Sequence, residues 1–283
     1  MESRIRVRGI DLAYEERGEG RPMLLLHGFK PDRRLMQGAF EPVFEKRSGW
    51  RRIYLDLPGM GASEAGPAAA TSDGMLDTVL EFIDAVLPHG TFAVAGQSYG
   101  GALARGVVKD RGSRVEGICL LCPMTVEDFT KRHLPPRQVV APDCSLRERL
   151  SPQEWEEFDA IAVAESPRIW ERTRDEIFVG VHAAQDQFLD ALRAHNMAFS
   201  RDIDALERPF EGPGLFVMGR QDHRTGYEDV WPLLANYPRA TFAVLDRAGH
   251  HLHIEQETLF NALVHEWLHR MEEHAPKADR AAP

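Results

Sequence analysis

TFAVAGQSYGGALARGVVKD, residues 91–110, decides the fold. Thr91–Gln97 is a short apolar run of strand character, and SYGGALARGVVKD continues it as a helical stretch. Between them stands G-x-S-x-G: Gly96, Gln97, Ser98, Tyr99, Gly100. A serine at a sharp strand-to-helix turn is held in strained backbone geometry with its hydroxyl projecting outward. Glycines two residues before and after it let strand and helix approach without Cβ clashes. The new helix also aims its N-terminal N–H groups at the serine. Ser98 is therefore the candidate nucleophile.

Outward from this turn, apolar runs alternate with helical patterns. Strands are expected at Met23–Gly28 (followed by a charge-rich loop), Trp50–Gly59, Thr91–Gln97 and Val115–Pro123. Met75, Leu76, Val79, Leu80, Ile83, Val86 and Leu87 repeat at helical spacing before Pro88. Such alternation predicts an α/β fold with a mostly parallel sheet covered on both faces. IRVRGIDLAYEERG reads as an antiparallel hairpin at the sheet edge. From Met124 to about Glu207 there is no buried strand; helix starts at Ser151-Pro152 and Ser166-Pro167, and a third helix through QDQFLDALRAHNM, make a helical insertion. Strand character returns at Pro213–Arg220 and Arg239–His250, and a last helix runs from Glu255 to about Glu273. The tail APKADRAAP has no core-forming residues and is expected to fray.

A serine hydroxyl needs a base and a group that orients the base. Asp222 and His250 each lie just beyond a strand, at the edge where Ser98 also sits. Asp222 is the candidate acid, with Glu127 and Asp128 after the fourth of these strands as rivals. His250 is the candidate base, with His251, His253 and His223 competing. The backbone N–H groups of Tyr99 and Phe29 are the candidate oxyanion hole, and His27 is expected to brace the loop that carries Phe29.

Together these pieces resemble the α/β-hydrolase superfamily: HGF at 27–29, DLPGMGAS at 56–63, GQSYGG at 96–101, GRQD at 219–222 and AGHHLHIEQ at 248–256, in that order. The resemblance implies an α/β-hydrolase fold with its core in residues 1–123 and 208–283 and a helical cap in 124–207. It also implies a Ser-His-acid hydrolase. The chain departs from many relatives in lacking a second glycine soon after HG, reading HGFKPDRR. Serine at 98 disfavours relatives that use aspartate there. The expected function is cleavage of a carboxylic ester of a small, largely apolar molecule through an acyl-enzyme. The alternatives are amide, thioester, lactone or carbon–carbon bond hydrolysis, acyl transfer, or a ligand receptor that keeps the triad. Trp155, Phe158, Trp170 and Phe178 are candidates to line the substrate pocket, with packing of cap on core as the competing role. Lys30, Arg33 and Arg34 could meet a substrate carboxylate, but solvated loop charges are the plainer reading.

Composition narrows the rest. The chain has 283 residues, 43% hydrophobic and 28% charged, with net charge −10, which argues against nucleic acid as a partner. No apolar run approaches the ~20 residues of a membrane span. The N-terminal MESRIRVRGI lacks an apolar signal core, so a cytoplasmic location is the default expectation. A small-molecule substrate is the expected partner, and no cofactor is implied. Cys119, Cys122 and Cys144 are too few and odd in number for a disulfide framework. Cys119 and Cys122 lie in one apolar run, where residues three apart on a strand face opposite ways, so they are expected to be small core residues and not a metal or redox pair. HEWLH, residues 265–269, fits the zinc-helix pattern H-E-x-x-H. Yet Leu259, Phe260, Leu263, Val264, Trp267, Leu268 and Met271 form one apolar stripe, which leaves His265, Glu266 and His269 toward solvent. No metal site is expected there.

Overall fold

The computed structural model describes residues 2–194 and 197–274. The predicted frayed tail, residues 275–283, lies outside the described residues. Eight strands, β1 (Glu2–Val7), β2 (Ile10–Arg17), β3 (Arg21–Leu26), β4 (Trp50–Leu55), β5 (Phe92–Gln97), β6 (Val115–Leu121), β7 (Gly214–Gly219) and β8 (Ala240–Leu245), form one sheet ordered β1-β2-β4-β3-β5-β6-β7-β8. The first two strands are the expected antiparallel hairpin, and β2 pairs antiparallel with β4. Every other pairing is parallel.

Alternate residues of the central strands feed two cores, one on each face of the sheet. Leu24, Leu26, Val94, Ile118, Leu120, Phe216 and Met218 pack with helices α2 (Ser72–Val86) and α3 (Tyr99–Arg111). Met23, Leu25, Ala93, Ala95, Cys119, Leu121, Leu215 and Val217 pack with α1 (Arg33–Phe44) and the C-terminal helix α10 (Glu257–His274). Both sheet faces are therefore dry, which is why these strands read as continuous apolar runs.

Helix α1 corrects the expectation of a charged loop after β3. Asp32 caps it by accepting from the Arg34 N–H, and Leu35, Met36, Ala39, Phe40, Val43 and Phe44 form its buried stripe. Pro42 and Gly38 obscured that stripe. Pro42 has no N–H to give the carbonyl four residues back, and Arg172 donates to that Gly38 carbonyl at 2.8 Å instead.

Between β6 and β7 run α4 (Cys144–Arg149), α5 (Pro152–Asp159), α6 (Pro167–Thr173), a π-helical stretch (Arg174–Phe178), α7 (Val179–Ala183) and α8 (Asp186–Ala194). The helix starts at Ser151 and Ser166 are as read; Ser151 and Glu154 form a capping box, a device contributing about 1 kcal/mol. This helical segment rests on loops that leave the C-terminal ends of the strands. Gln185 donates from its N–H to Gly59 O after β4, Gly180 packs on Asp32 after β3, and Val163 packs on Gly249 after β8. Helix α9 (Leu252–Glu255) follows that last loop.

Candidate active site

Among the described residues, four of the six non-glycine residues with positive φ, Lys30, Ser98, Cys122 and Arg247, lie just beyond the C-terminal ends of β3, β5, β6 and β8. Such backbone costs on the order of 1–3 kcal/mol per residue and persists only where the surroundings impose it. Ser98 has φ 53° and ψ −116° and is the N-cap of α3. Its N–H donates to Leu121 O at 2.9 Å, and its carbonyl accepts from Met124 N at 2.9 Å, so the turn is fastened to the end of β6. A Cβ on Gly96 would lie 2.2 Å from Gly100 O, and one on Gly100 would lie 2.3 Å from Leu26 O. Both glycines of the motif are thus required by close approach.

Asp222 and His250 are brought together. His250 Nδ1–H donates to Asp222 Oδ2 at 2.9 Å. The same oxygen accepts from the Thr225 hydroxyl at 2.7 Å, while Oδ1 accepts from the backbone N–H groups of Arg224 (2.8 Å) and Thr225 (3.2 Å). Asp222 is fully buried. Burial alone would raise its pKa, but the pairing with His250, the Thr225 hydroxyl and the Arg224 N–H outweigh it and hold the carboxyl well below the usual range. An ionised Asp222 keeps the proton on His250 Nδ1 and leaves Nε2 as the acceptor nitrogen. Gln221 ties the two loops together: its N–H donates to Ala248 O and its amide to the Asp246 carboxylate.

The rivals are placed elsewhere. Asp128 caps a turn at Phe129–Lys131, accepting from Thr130, and the Glu127 carbonyl accepts from Arg132. His251 is held down to about 3 by burial and by neighbouring His250. Burial also holds His253 well below its ordinary value, and His223 contacts Ala160 O on the helical segment.

Phe29 and Tyr99 are neighbours, their rings edge-to-face at 6.1 Å. The Tyr99 N–H opens α3 and so has no acceptor within the helix. Gly28 presses against the Gln97 side chain and Ser98, where a Cβ would come within 3.2 Å of Ser98 Cβ. The Gln97 amide in turn donates to His250 O at 3.3 Å. His27 is buried, and burial holds its pKa below the ordinary histidine value against the pull of Asp56. It accepts from Leu57 N–H at Nε2 and donates from Nδ1 to Gly28 O, which joins the loops after β3 and β4.

Two residues were missed in the sequence. Thr225 supports Asp222, and nothing in its local sequence signals that role. Cys122 lies past the end of β6 at φ 41°. The turn puts it in the same core as Cys119, not on the opposite face as expected. Its sulfur sits beside Asp222 and His250 and contacts Gly249 O at 3.4 Å.

The four aromatic pocket candidates form a chain of ring contacts: Trp155 to Phe158 (6.4 Å), Phe158 to Trp170 (5.6 Å) and Trp170 to Phe178 (6.1 Å). They join the core on the α1 and α10 side of the sheet. Phe29 belongs to the other core, with Phe188, Leu189 and Leu192 of α8. The loop cations are paired: Lys30 with Asp186, Arg33 with Asp56 and Glu2, and Arg34 with Asp32. His265, Glu266 and His269 are exposed on α10, with Arg47 reaching His265 and Glu273 beside His269. A broad cleft beside Arg21, Thr91 and Phe210 lies at the opposite, N-terminal end of the strands from Ser98.

A strained serine at a strand-to-helix turn, on a mostly parallel sheet whose next loops bring an aspartate to a histidine, defines an enzyme of the α/β-hydrolase fold. The chain belongs to the alpha/beta hydrolase family, whose model matches residues 23–263. It is 29% identical over 254 residues to the 2-succinyl-6-hydroxy-2,4-cyclohexadiene-1-carboxylate synthase of Salmonella paratyphi B, covering 83% of this chain and 89% of that one. A solved alpha/beta superfamily hydrolase from Oenococcus oeni PSU-1 is similar at 26% identity with TM-score 0.86, covering 95% of this chain and 99% of the other. A thermophilic esterase from Thermogutta terrifontis shares the fold, at 24% identity and TM-score 0.69, over 96% of this chain and 99% of its own.

Proposed function

We propose that the protein is a serine hydrolase that cleaves a carboxylic ester of a small, largely apolar molecule. The observation that carries this is the Asp222–His250 pair, ionised and hydrogen-bonded on the acid side, together with a serine held at positive φ whose neighbour Gln97 donates to His250 O. His250 Nε2 takes the Ser98 proton as the oxygen attacks the ester carbonyl. The Tyr99 and Phe29 N–H groups receive the oxyanion; His250 then returns the proton to the leaving alcohol, and water releases the acyl group by the same route. Residues 124–207 act as the cap. Phe29, whose ring meets that of Tyr99, and Phe188 of the same core supply the apolar wall, while the four aromatics, which join the other core, seat the cap.

A panel of p-nitrophenyl esters of increasing chain length tests this. The wild type should turn over short and medium chains, and Ser98→Ala should lower kcat by roughly 10⁶-fold. A folded wild type inert on every ester would remove the reading. The synthase name of the Salmonella relative supports a second reading, in which the same site handles a carboxylate-bearing cyclohexadiene. Calorimetric binding of that relative's named product, in a protein without esterase activity, would favour it.

A further inference from the structure

Glu255 lies five residues beyond His250, at the end of α9, and the proposed chemistry gives it no part. Its carboxylate spans two pieces of the molecule. One oxygen accepts from the N–H of Gly249, the residue before His250, at 2.6 Å. The other accepts from the N–H groups of Val163 at 2.8 Å and Ala164 at 3.3 Å, in the helical segment. Val163 and Ala164 are themselves fixed there: Val163 O accepts from Val140 and Ala141, and Ala164 bridges Ala141. The Val163 side chain packs so closely on Gly249 that a Cβ there would lie 2.7 Å from it.

We propose that Glu255 is a positioning residue, a latch that joins the His250 loop to the helical segment so that the base is in place only when that segment is docked. The proposal rests on the reading of His250 as the base. The donor set explains the residue type. All three donors are backbone N–H groups, one set on each side, so both oxygens must accept. A carboxylate does this; an amide of the same shape presents an NH₂ group to one side and leaves that side donor against donor. The three bonds favour the ionised carboxylate, against burial, which outweighs them and with the charge of Asp222 pushes the pKa up to about 7. A group chosen only to fill space here would be apolar or neutral.

The test compares Glu255→Gln with wild type and with Glu165→Gln, a control within the helical segment alone, where the carboxylate accepts from the Asp143 N–H and an amide oxygen can accept in its place. The readouts are the rate of covalent labelling by a fluorophosphonate, kcat and KM on a p-nitrophenyl ester, and the downfield proton resonance of His250 Nδ1. Glu255→Gln should stay folded, label and turn over about 10- to 100-fold more slowly with little change in KM, and shift or broaden the Nδ1 resonance. Glu165→Gln should stay within about twofold of wild type. A folded Glu255→Gln with wild-type labelling and an unmoved resonance overturns the latch. A wild type that neither labels nor hydrolyses would instead refute the hydrolase reading, and the resonance would still decide the latch. If Glu255→Gln does not fold, amide exchange in the wild type decides: Gly249 and Val163 should be protected together, and rapid exchange of either overturns the proposal.

Discussion

Asp222 shows how much of the site a single residue concentrates. Four donors converge on its two oxygens, so the carboxylate can be buried and still ionised. Replacing it with asparagine would turn one acceptor oxygen into a donor and allow the wrong tautomer of His250. Asp222→Asn should therefore lower kcat about 10⁴-fold, by analogy with other triads, with little change in KM. Stability carries a second signature. The folded-state pKa lies below the ordinary 3.8, so on acidification the unfolded chain takes up this proton first. The contribution is full above about pH 4 and is lost as pH falls below it. In urea titrations, the stability gap between wild type and Asp222→Asn should narrow below about pH 4; a gap independent of pH would contradict the assignment. The strained turn at Ser98 and the pairing of Asp222 with His250 were legible because each residue directly follows a strand-like run. Thr225 and Cys122 were not, because their roles arise from where the chain turns back after β7 and β6, and neither turn has a composition signature.

Among the elements, α10 was read well and α1 was missed. The α10 stripe was long and uninterrupted, so its buried face could be counted out, and HEWLH fell on the other face. The double variant His265→Ala/His269→Ala should keep wild-type kcat on esters, and EDTA or phenanthroline should leave activity unchanged; loss that zinc restores would revive a metal reading. Helix α1 was hidden because Gly38 and Pro42 are poor helix residues and their compensation comes from another element. Arg172 of α6 caps the carbonyl that Pro42 leaves unbonded, and Glu176, paired with Arg172, fills the space above Gly38. Local propensity thus failed where a tertiary contact overrides it. Arg172→Met should destabilise the protein by about 2 kcal/mol in urea unfolding, because it leaves the Gly38 carbonyl without its donor. A change within about 0.3 kcal/mol would show that solvent replaces the arginine.

At the scale of the whole molecule, one mostly parallel sheet sends the loops after β3, β5, β7 and β8 to a single edge, and the helical segment rests on that edge. The fold was legible because parallel strands buried on both faces read as apolar runs at regular intervals. The pocket was less legible. Aromatic residues in the helical segment can serve either the site or its own docking, and composition does not separate the two; the chain of rings from Trp155 to Phe178 joins the α1 and α10 core, on the other sheet face from Phe29. The central claim is that Ser98 is an activated nucleophile and not a strained but inert turn residue. Covalent labelling by a fluorophosphonate at neutral pH, mapped by mass spectrometry, tests it most directly, since an isolated serine hydroxyl is too weak a nucleophile to react. The account predicts a single adduct on Ser98 that disappears in Ser98→Ala and forms far more slowly in His250→Ala. A folded wild-type protein that resists the probe, or is labelled elsewhere, would contradict it.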